Sequence, residues 1–162
     1  MYTKEQIWNS FSKELGIIKH LAEKIPEGGH DHKPTEKQRT TLELLQYMSI
    51  NGIGTMSAIM DGNPAAFGPL RERSKAVTPE NFSQAIDTQE TEMKALFESF
   101  TDELLDEEIT LFGVTASRAI FILELLKTMT GYKMQLFLYA KAAGNEAIGT
   151  PNLWAGIDAP TA

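Results

Sequence analysis

The chain has 162 residues, of which 42% are hydrophobic, and its net charge is −7. This length suits one domain spanning residues 1–162, with enough apolar side chains to form its own core. The absence of cysteine excludes disulfides, thiol nucleophiles and thiolate metal sites, and the acidic charge disfavours binding to the phosphates of nucleic acids.

The first predicted helix begins at a capping box. Thr3 is followed three residues later by Gln6, so that each side chain can bond the other residue's backbone amide. Apolar residues then recur at spacings of three and four as far as Ile25, which is the pattern of one helical face. Pro26 and the two glycines that follow Glu27 predict the end of this helix.

The second predicted helix runs from about Thr40 to Met60 and also opens with a capping box, here with Glu43. Gly52 and Gly54 lie inside it, and each weakens a helix by about 1 kcal/mol relative to alanine. We expect close approach of another backbone to compensate for this cost.

The same helix contains the longest stretch without charged residues, from Leu44 to Met60. This stretch includes Gln46, Ser49 and Asn51, and a membrane span needs about 20 predominantly apolar residues. The sequence therefore predicts a buried helix and no membrane association. No signal-peptide pattern precedes it, so we expect a cytoplasmic protein.

A long connection, residues 61–77, separates the second and third predicted helices and would permit a crossover topology. Thr78 and Pro79 have the residue types of an N-cap and a first helical position, so the third helix is predicted to begin there. Its apolar face continues to Leu104.

The fourth predicted helix begins after Thr115 and ends near Ala143, where Gly144 suits the left-handed C′ position. The tail from Asn145 to Ala162 is predicted to be coil. No strand pattern competes with these helices. Four long amphipathic helices predict an all-α fold, namely a four-helix bundle.

Two polar stripes interrupt the apolar second and fourth helices. Their members are spaced by three or four residues and therefore share a face of each helix. The stripes are Glu43, Tyr47 and Asn51 on the second helix and Glu124, Thr128, Tyr132 and Gln135 on the fourth. They either face each other as a site inside the bundle, or are partly exposed or hydrogen-bonded within the core.

Several segments resemble the DinB-like four-helix-bundle superfamily. The last helix resembles the family pattern in Gln135–Tyr139, followed by Gly144 and a tail that contains prolines. The first loop and the start of the second helix resemble it in Lys24–Pro26, Pro34 and Arg39–Leu45. The resemblance covers most of the chain.

The resemblance implies a metal site that this sequence has altered. Metal-binding members carry one histidine on the second helix and two in His-x-x-x-His-Arg-Gly-Gln on the fourth. These three ligand positions fall on Tyr47, Thr128 and Tyr132, and Lys133, Met134 and Gln135 occupy the Arg, Gly and Gln positions. A phenol with a pKa near 10 must lose a proton to bind a metal, and a hydroxyl is a weaker ligand still. We therefore expect no metal or other cofactor.

The sequence is compatible with three functions. The first is a non-enzymatic protein that binds a small molecule in a polar pocket between the second and fourth helices, at Tyr47, Thr128 and Tyr132. The second, implied by the resemblance, is a metal-dependent thiol-transferase-like enzyme that holds nickel, zinc or iron with unusual ligands, for which Glu43 and Glu124 are additional candidates. The third is a non-catalytic structural or interaction protein.

The fourth helix is apolar on almost every side, whereas a bundle needs only one apolar stripe. The surplus predicts either burial at the centre of the bundle or a homodimer through the apolar helix surface, and we expect the homodimer.

Overall fold

The computed structural model describes residues 2–160. The helices and strands are, in chain order, α1 (Lys4–Ala22), α2 (Thr41–Asp61), α3 (Phe67–Ser74), α4 (Phe82–Ser99), α5 (Asp102–Asp106), β1 (Glu108–Leu111), β2 (Val114–Ser117), α6 (Arg118–Ala142) and α7 (Thr150–Ala155). A 3-10 turn, Gly29–Asp31, lies between α1 and α2.

The four predicted long helices are present as α1, α2, α4 and α6, and they pack as a four-helix bundle. Helices α4 and α6 each contact both α1 and α2. The order around the bundle is therefore α1, α4, α2, α6, with α1 diagonal to α2 and α4 diagonal to α6. The helices joined by the long connection are direct neighbours, so the diagonal crossings lie in the other two connections.

Both predicted capping boxes are present. The amide of Gln6 donates to Thr3 Oγ1 at 3.1 Å, and the amide of Thr3 donates to Gln6 Oε1 at 2.9 Å. Glu43 and Thr40 make the same reciprocal pair at 3.1 and 2.7 Å. Two amides that the helix leaves unpaired are satisfied at each N-terminus.

The core lies between the four long helices and contains the apolar stripe of each one. Fully buried members are Phe11, Leu15, Leu21, Leu44, Leu45, Met56, Ile59, Ile86, Met93 and Leu136. Burying a side chain of this size contributes about 1.5–3 kcal/mol to the stability of the fold.

Gly52 and Gly54 admit side chains from neighbouring helices, and not another backbone as predicted. A Cβ atom on Gly52 would lie 2.4 Å from Met93 Sδ, and one on Gly54 would lie 2.6 Å from the Phe67 ring. The missing Cβ atoms thus let α4 and α3 pack closely against α2. This contact offsets the low helix propensity of glycine.

The buried side chain of Gln89 fastens α4 to the same part of α2. Its Oε1 accepts from the amides of Gly52 and Ile53 at 2.9 and 3.2 Å, and its Nε2 donates to the carbonyl of Met48 at 2.9 Å. The amide group is fully excluded from solvent and has all these partners, so its burial carries no unpaired polar atom.

The third long helix begins at Phe82, and the predicted start at Thr78 is wrong. Asn81 Oδ1 accepts from the Thr78 amide at 2.8 Å, and Asn81 Nδ2 donates to the Ala76 carbonyl at 3.0 Å. These side-chain bonds hold the segment before Phe82 as a turn. The helix also ends earlier than predicted, at Ser99, and α5 follows it.

A β-hairpin precedes α6, which corrects the expectation that no strand forms. Strands β1 and β2 pair antiparallel, and Leu111 is opposite Val114. Phe112 and Gly113 form the turn with φ values of 54° and 81°, and two positive φ angles are typical of a type I′ hairpin turn. The hairpin includes Thr115, so α6 begins only at Arg118.

Arg118 joins this hairpin to the end of α2. Its Nε donates to the carbonyl of Ile59 at 2.9 Å, and one of its terminal nitrogens lies 2.6 Å from Glu107 Oε2. The carbonyls in the last turn of a helix lack helical partners and attract cations. This nearly buried guanidinium therefore holds the hairpin against α2.

The C-terminal tail, predicted to be coil, contains the short helix α7, which packs on α1 and α6. Asn152 links the tail to α1, because its Nδ2 lies 3.0 Å from His20 Nε2 and donates to Asp158 Oδ1 at 2.9 Å. Within residues 2–160, no helix is long and apolar enough to cross a membrane.

Candidate functional site

A cleft of about 730 Å³ opens on one side of the bundle, between α2, α3, the hairpin and α6. This volume lies in the usual range for small-molecule sites. Four of the predicted site residues line it, namely Tyr47 and Asn51 from α2 and Glu124 and Thr128 from α6. The fold therefore brings part of each polar stripe to one cavity.

The hydroxyl groups at the polar end of the cleft already donate hydrogen bonds within their own helices. The Tyr47 hydroxyl donates to Asn51 Oδ1 at 2.9 Å, one turn further along α2. The Thr128 hydroxyl donates to the carbonyl of Glu124 at 2.8 Å, one turn back along α6. The lone pairs of both hydroxyl oxygens remain to accept a bond from a ligand.

Tyr132 lies beside this end but does not line the cleft. Its ring packs edge-on against Tyr47, with centroids 5.1 Å apart and planes at 61°. The two tyrosine rings are therefore in contact, with no cavity between them. The cavity lies beside Tyr47, where Asn51 and Thr128 line it. The pocket predicted between both tyrosines is thus displaced to one side of the pair.

The Tyr47 phenol is held in its protonated form. Burial, above all, together with the neighbouring Tyr132, raises the pKa of Tyr47 to about 12. The positive charges of Arg39 and Arg71 act in the opposite direction on this pKa and do not overcome the burial. At neutral pH, Tyr47 therefore serves as a neutral hydrogen-bonding group.

The other predicted polar residues have separate roles. Glu43 is exposed and caps α2. Gln135 Nε2 donates to the hydroxyl of the buried Tyr139 at 2.9 Å, away from the cleft. Glu124 does line the cleft, and its Oε1 lies 2.6 Å from Lys127 Nζ.

Most of the wall is apolar, in contrast to the polar pocket predicted from the stripes. Phe67 from α3 lies against Gly54, and Phe112 lies at the tip of the hairpin with 62% of its surface exposed. The remaining apolar wall residues are Pro64, Leu111, Val114, Ala116, Ile120, Phe121 and Leu125. The cleft thus combines a hydrophobic body with polar groups at one end.

Two arginines flank the polar end. Arg71 lines the cleft, and the guanidinium carbon of Arg39 lies 4.3 Å from the centroid of the Tyr47 ring. Arg71 also lies over the Phe67 ring, at 5.9 Å. These distances are typical of cation–π contacts. Neither arginine was recognised from the sequence as part of a site.

The donor set at the positions where the resemblance places metal ligands does not fit a divalent transition metal. The Tyr47 phenol would have to lose a proton at a pKa of about 12, and Thr128 offers only a hydroxyl. Glu43, proposed as a substitute ligand, is committed to its helix cap. Among residues 2–160 there is no group of three or more His, Asp or Glu side chains placed to hold a metal ion.

Lys133, next to the site on α6, is fully buried. Its Nζ lies 2.9 Å from Glu14 Oε2 and 4.6 Å from the centroid of the Trp154 ring. The sequence identified Lys133 only as the residue at the family's arginine position. Its burial depends on partners from α1 and α7, which no local pattern indicates.

The comparisons with known proteins support the fold. No protein-family model matches the chain, and no curated protein matches it significantly in sequence. Among solved structures, the chain is similar to the crystal structure of a DinB-like protein, YjoA, from Bacillus subtilis. The TM-score is 0.69 at 24% sequence identity, over 86% of this chain and 92% of that one. The all-α bundle described above is therefore a DinB-like fold.

Proposed function

We propose that this protein binds a small molecule in the cleft beside Tyr47 and does so without the metal of its family. The observation that carries the proposal is the cleft itself, in which Tyr47, Asn51 and Thr128 form the polar end of an otherwise apolar cavity of about 730 Å³. A concave apolar site with a few convergent polar groups is the usual form of a ligand pocket.

The proposal also assigns a role to the altered family positions. Tyr47 and Thr128 stand where the resemblance places metal ligands, and each hydroxyl oxygen retains acceptor lone pairs. They supply orientation by hydrogen bonding, and the aromatic wall supplies affinity by burying the apolar part of the ligand. The activity proposed is binding, and no chemical step is assigned.

A variant in which a larger side chain fills the cleft tests the proposed binding directly. We expect 1-octanol to bind saturably to the chelator-treated protein, as measured by calorimetry. Thr128→Trp places a large ring in the cleft and should abolish this binding. Thr91→Trp is the matched control, because Thr91 is also an exposed helical threonine whose hydroxyl donates one turn back, to the Asp87 carbonyl. Equal binding by both variants would contradict the proposal.

The competing proposal is a metal-dependent thiol-transferase-like enzyme. Elemental analysis of protein purified without a chelator or a histidine tag separates the two. We expect less than about 0.1 metal ion per chain, because the phenol and hydroxyl donors are poor ligands. About one nickel, zinc or iron ion per chain would contradict the metal-free assignment.

We also propose that the chain forms a homodimer through α1 and α6. Leu123, on α6, is 52% exposed, and the nearby Tyr2 is 82% exposed. They border a groove of about 480 Å³, which Ile7 and Leu126 also line. An exposed apolar face of this kind is typical of an interaction surface.

A further inference from the structure

The charges around the cleft indicate which class of ligand it binds. This inference about the ligand rests on the binding function proposed above. The chain contains four arginines. Arg73 forms an ion pair with Glu92, and Arg118 forms one with Glu107. The other two, Arg39 and Arg71, both flank Tyr47.

Arg39 and Arg71 make no ion pair and donate no hydrogen bond within the part of the chain that the structure describes. Their contacts are with aromatic faces, Tyr47 for Arg39 and Phe67 for Arg71. Stacking on a ring holds a guanidinium in place while leaving its N–H donors free to bind an oxyanion. Both side chains are thus positioned but unpaired.

The two positive charges act at the polar end of the cleft. Both lower the pKa of the Tyr47 phenol against the effect of burial, so their fields reach the hydroxyl that lines the cavity. An acidic chain of net charge −7 repels anions in general. An anion is therefore attracted only where cations are concentrated, as they are here.

The acidic residue that lines the cleft does not cancel this field. Glu124 lies on α6, and its carboxylate is paired with Lys127 at 2.6 Å. The pair carries no net charge, so Glu124 does not offset the positive charge of Arg71, which lines the same cleft.

We propose that the cleft selects amphipathic oxyanions, molecules with an apolar body and one terminal carboxylate or phosphate group. The apolar body lies against Phe67, Phe112 and Phe121, and the head group lies between Arg71 and Arg39 beside the Tyr47 hydroxyl. The fork of N–H donors on a guanidinium matches the oxygens of either head group.

Calorimetric titration with octanoate, octyl phosphate, 1-octanol and octylammonium tests this selectivity, since the four probes share one apolar chain. A charge-assisted hydrogen bond corresponds to about a tenfold gain in affinity. We expect octanoate or octyl phosphate to bind about tenfold more tightly than 1-octanol, and octylammonium to bind most weakly.

Arg71→Gln should bring the affinity for the oxyanions to within about twofold of the affinity that the same variant has for 1-octanol. Arg73→Gln is the matched control, because it removes a charge from the same helix at a residue paired with Glu92, and it should preserve the selectivity. If 1-octanol or octylammonium binds as tightly as the oxyanions, the charge selectivity is wrong while the binding function stands. If none of the probes binds, both proposals are wrong.

Discussion

The buried pair of Lys133 and Glu14 gives the sharpest stability prediction. Their side chains are 1% and 14% exposed, and the ammonium lies 2.9 Å from one carboxylate oxygen and 3.1 Å from the other. Lys133→Met replaces the lysine with an unbranched apolar side chain of similar length, and so removes only the charge. It leaves the carboxylate of Glu14 largely buried without a partner.

Removing one member of a buried ion pair costs about 3–5 kcal/mol. Glu14 retains some contact with water, so the lower end applies, and we expect Lys133→Met to lose about 3 kcal/mol of unfolding free energy. For a chain of this size, 1 kcal/mol lowers Tm by about 2–4 °C, which predicts a fall of about 6–12 °C.

Guanidinium unfolding monitored by tryptophan fluorescence measures this loss, because Trp154 lies against Lys133. Glu14→Leu combined with Lys133→Met should restore stability to within about 1 kcal/mol of the natural chain, since replacing both charges leaves neither one unpaired. Lys127→Met is the control, because it breaks an exposed pair with Glu124 on the same helix and should change stability by less than about 0.5 kcal/mol.

Two results would refute this reasoning. One is a loss of less than about 1 kcal/mol in Lys133→Met, which would mean that Glu14 is solvated when unpaired. The other is a double variant whose loss equals the sum of the losses measured for Lys133→Met alone and for Glu14→Leu alone, which would mean that the charges do not interact.

Three further predictions concern the cleft and the helix surface. Gly54→Ala should weaken 1-octanol binding, because the new Cβ would lie only 2.6 Å from the Phe67 ring and would push this ring out of its position in the cleft wall. An unchanged affinity in calorimetry would contradict this. The absorbance at 295 nm of the natural chain, minus that of Tyr47→Phe, should show the ionisation of Tyr47 near pH 12, and a midpoint near pH 10 would contradict this. The contribution of this phenol to the stability of the fold should be fully present below pH 10 and should be lost as the pH rises through about 12. Leu123→Glu should yield monomers by light scattering if α6 forms the dimer surface; an unchanged mass would place the interface elsewhere or exclude it.

The four long helices and the N-terminal caps of the first two were predictable because the signals are local. The pairs Thr3 with Gln6 and Thr40 with Glu43 satisfy backbone amides three residues apart, and such bonds depend little on the rest of the fold. The hairpin also had a local signal, since apolar and polar residues alternate over Glu108–Leu111 before the glycine-containing turn. The segment is only four residues long, and the longer helical periodicity around it dominated the prediction.

The common position of Tyr47 and Asn51 could be predicted from spacing alone, whereas the walls of the cleft could not. Tyr47 and Asn51 share a helical face, so their common position follows from helical geometry. Phe67 and Arg71 join them only because α3 packs against Gly54, which is a tertiary contact. Lys133 was likewise beyond sequence reasoning, since its partner Glu14 lies 119 residues away.

The central claim is that the cleft beside Tyr47 binds an amphipathic molecule without a metal. The most direct measurement is an amide NMR titration of the isotopically labelled protein with 1-octanol in the presence of a chelator. Binding in this cleft should give saturable shifts that cluster at residues 47–55 of α2, at the hairpin turn of Phe112 and Gly113, and at residues 120–128 of α6. The absence of saturable shifts, or shifts confined to the groove beside Leu123, would contradict it.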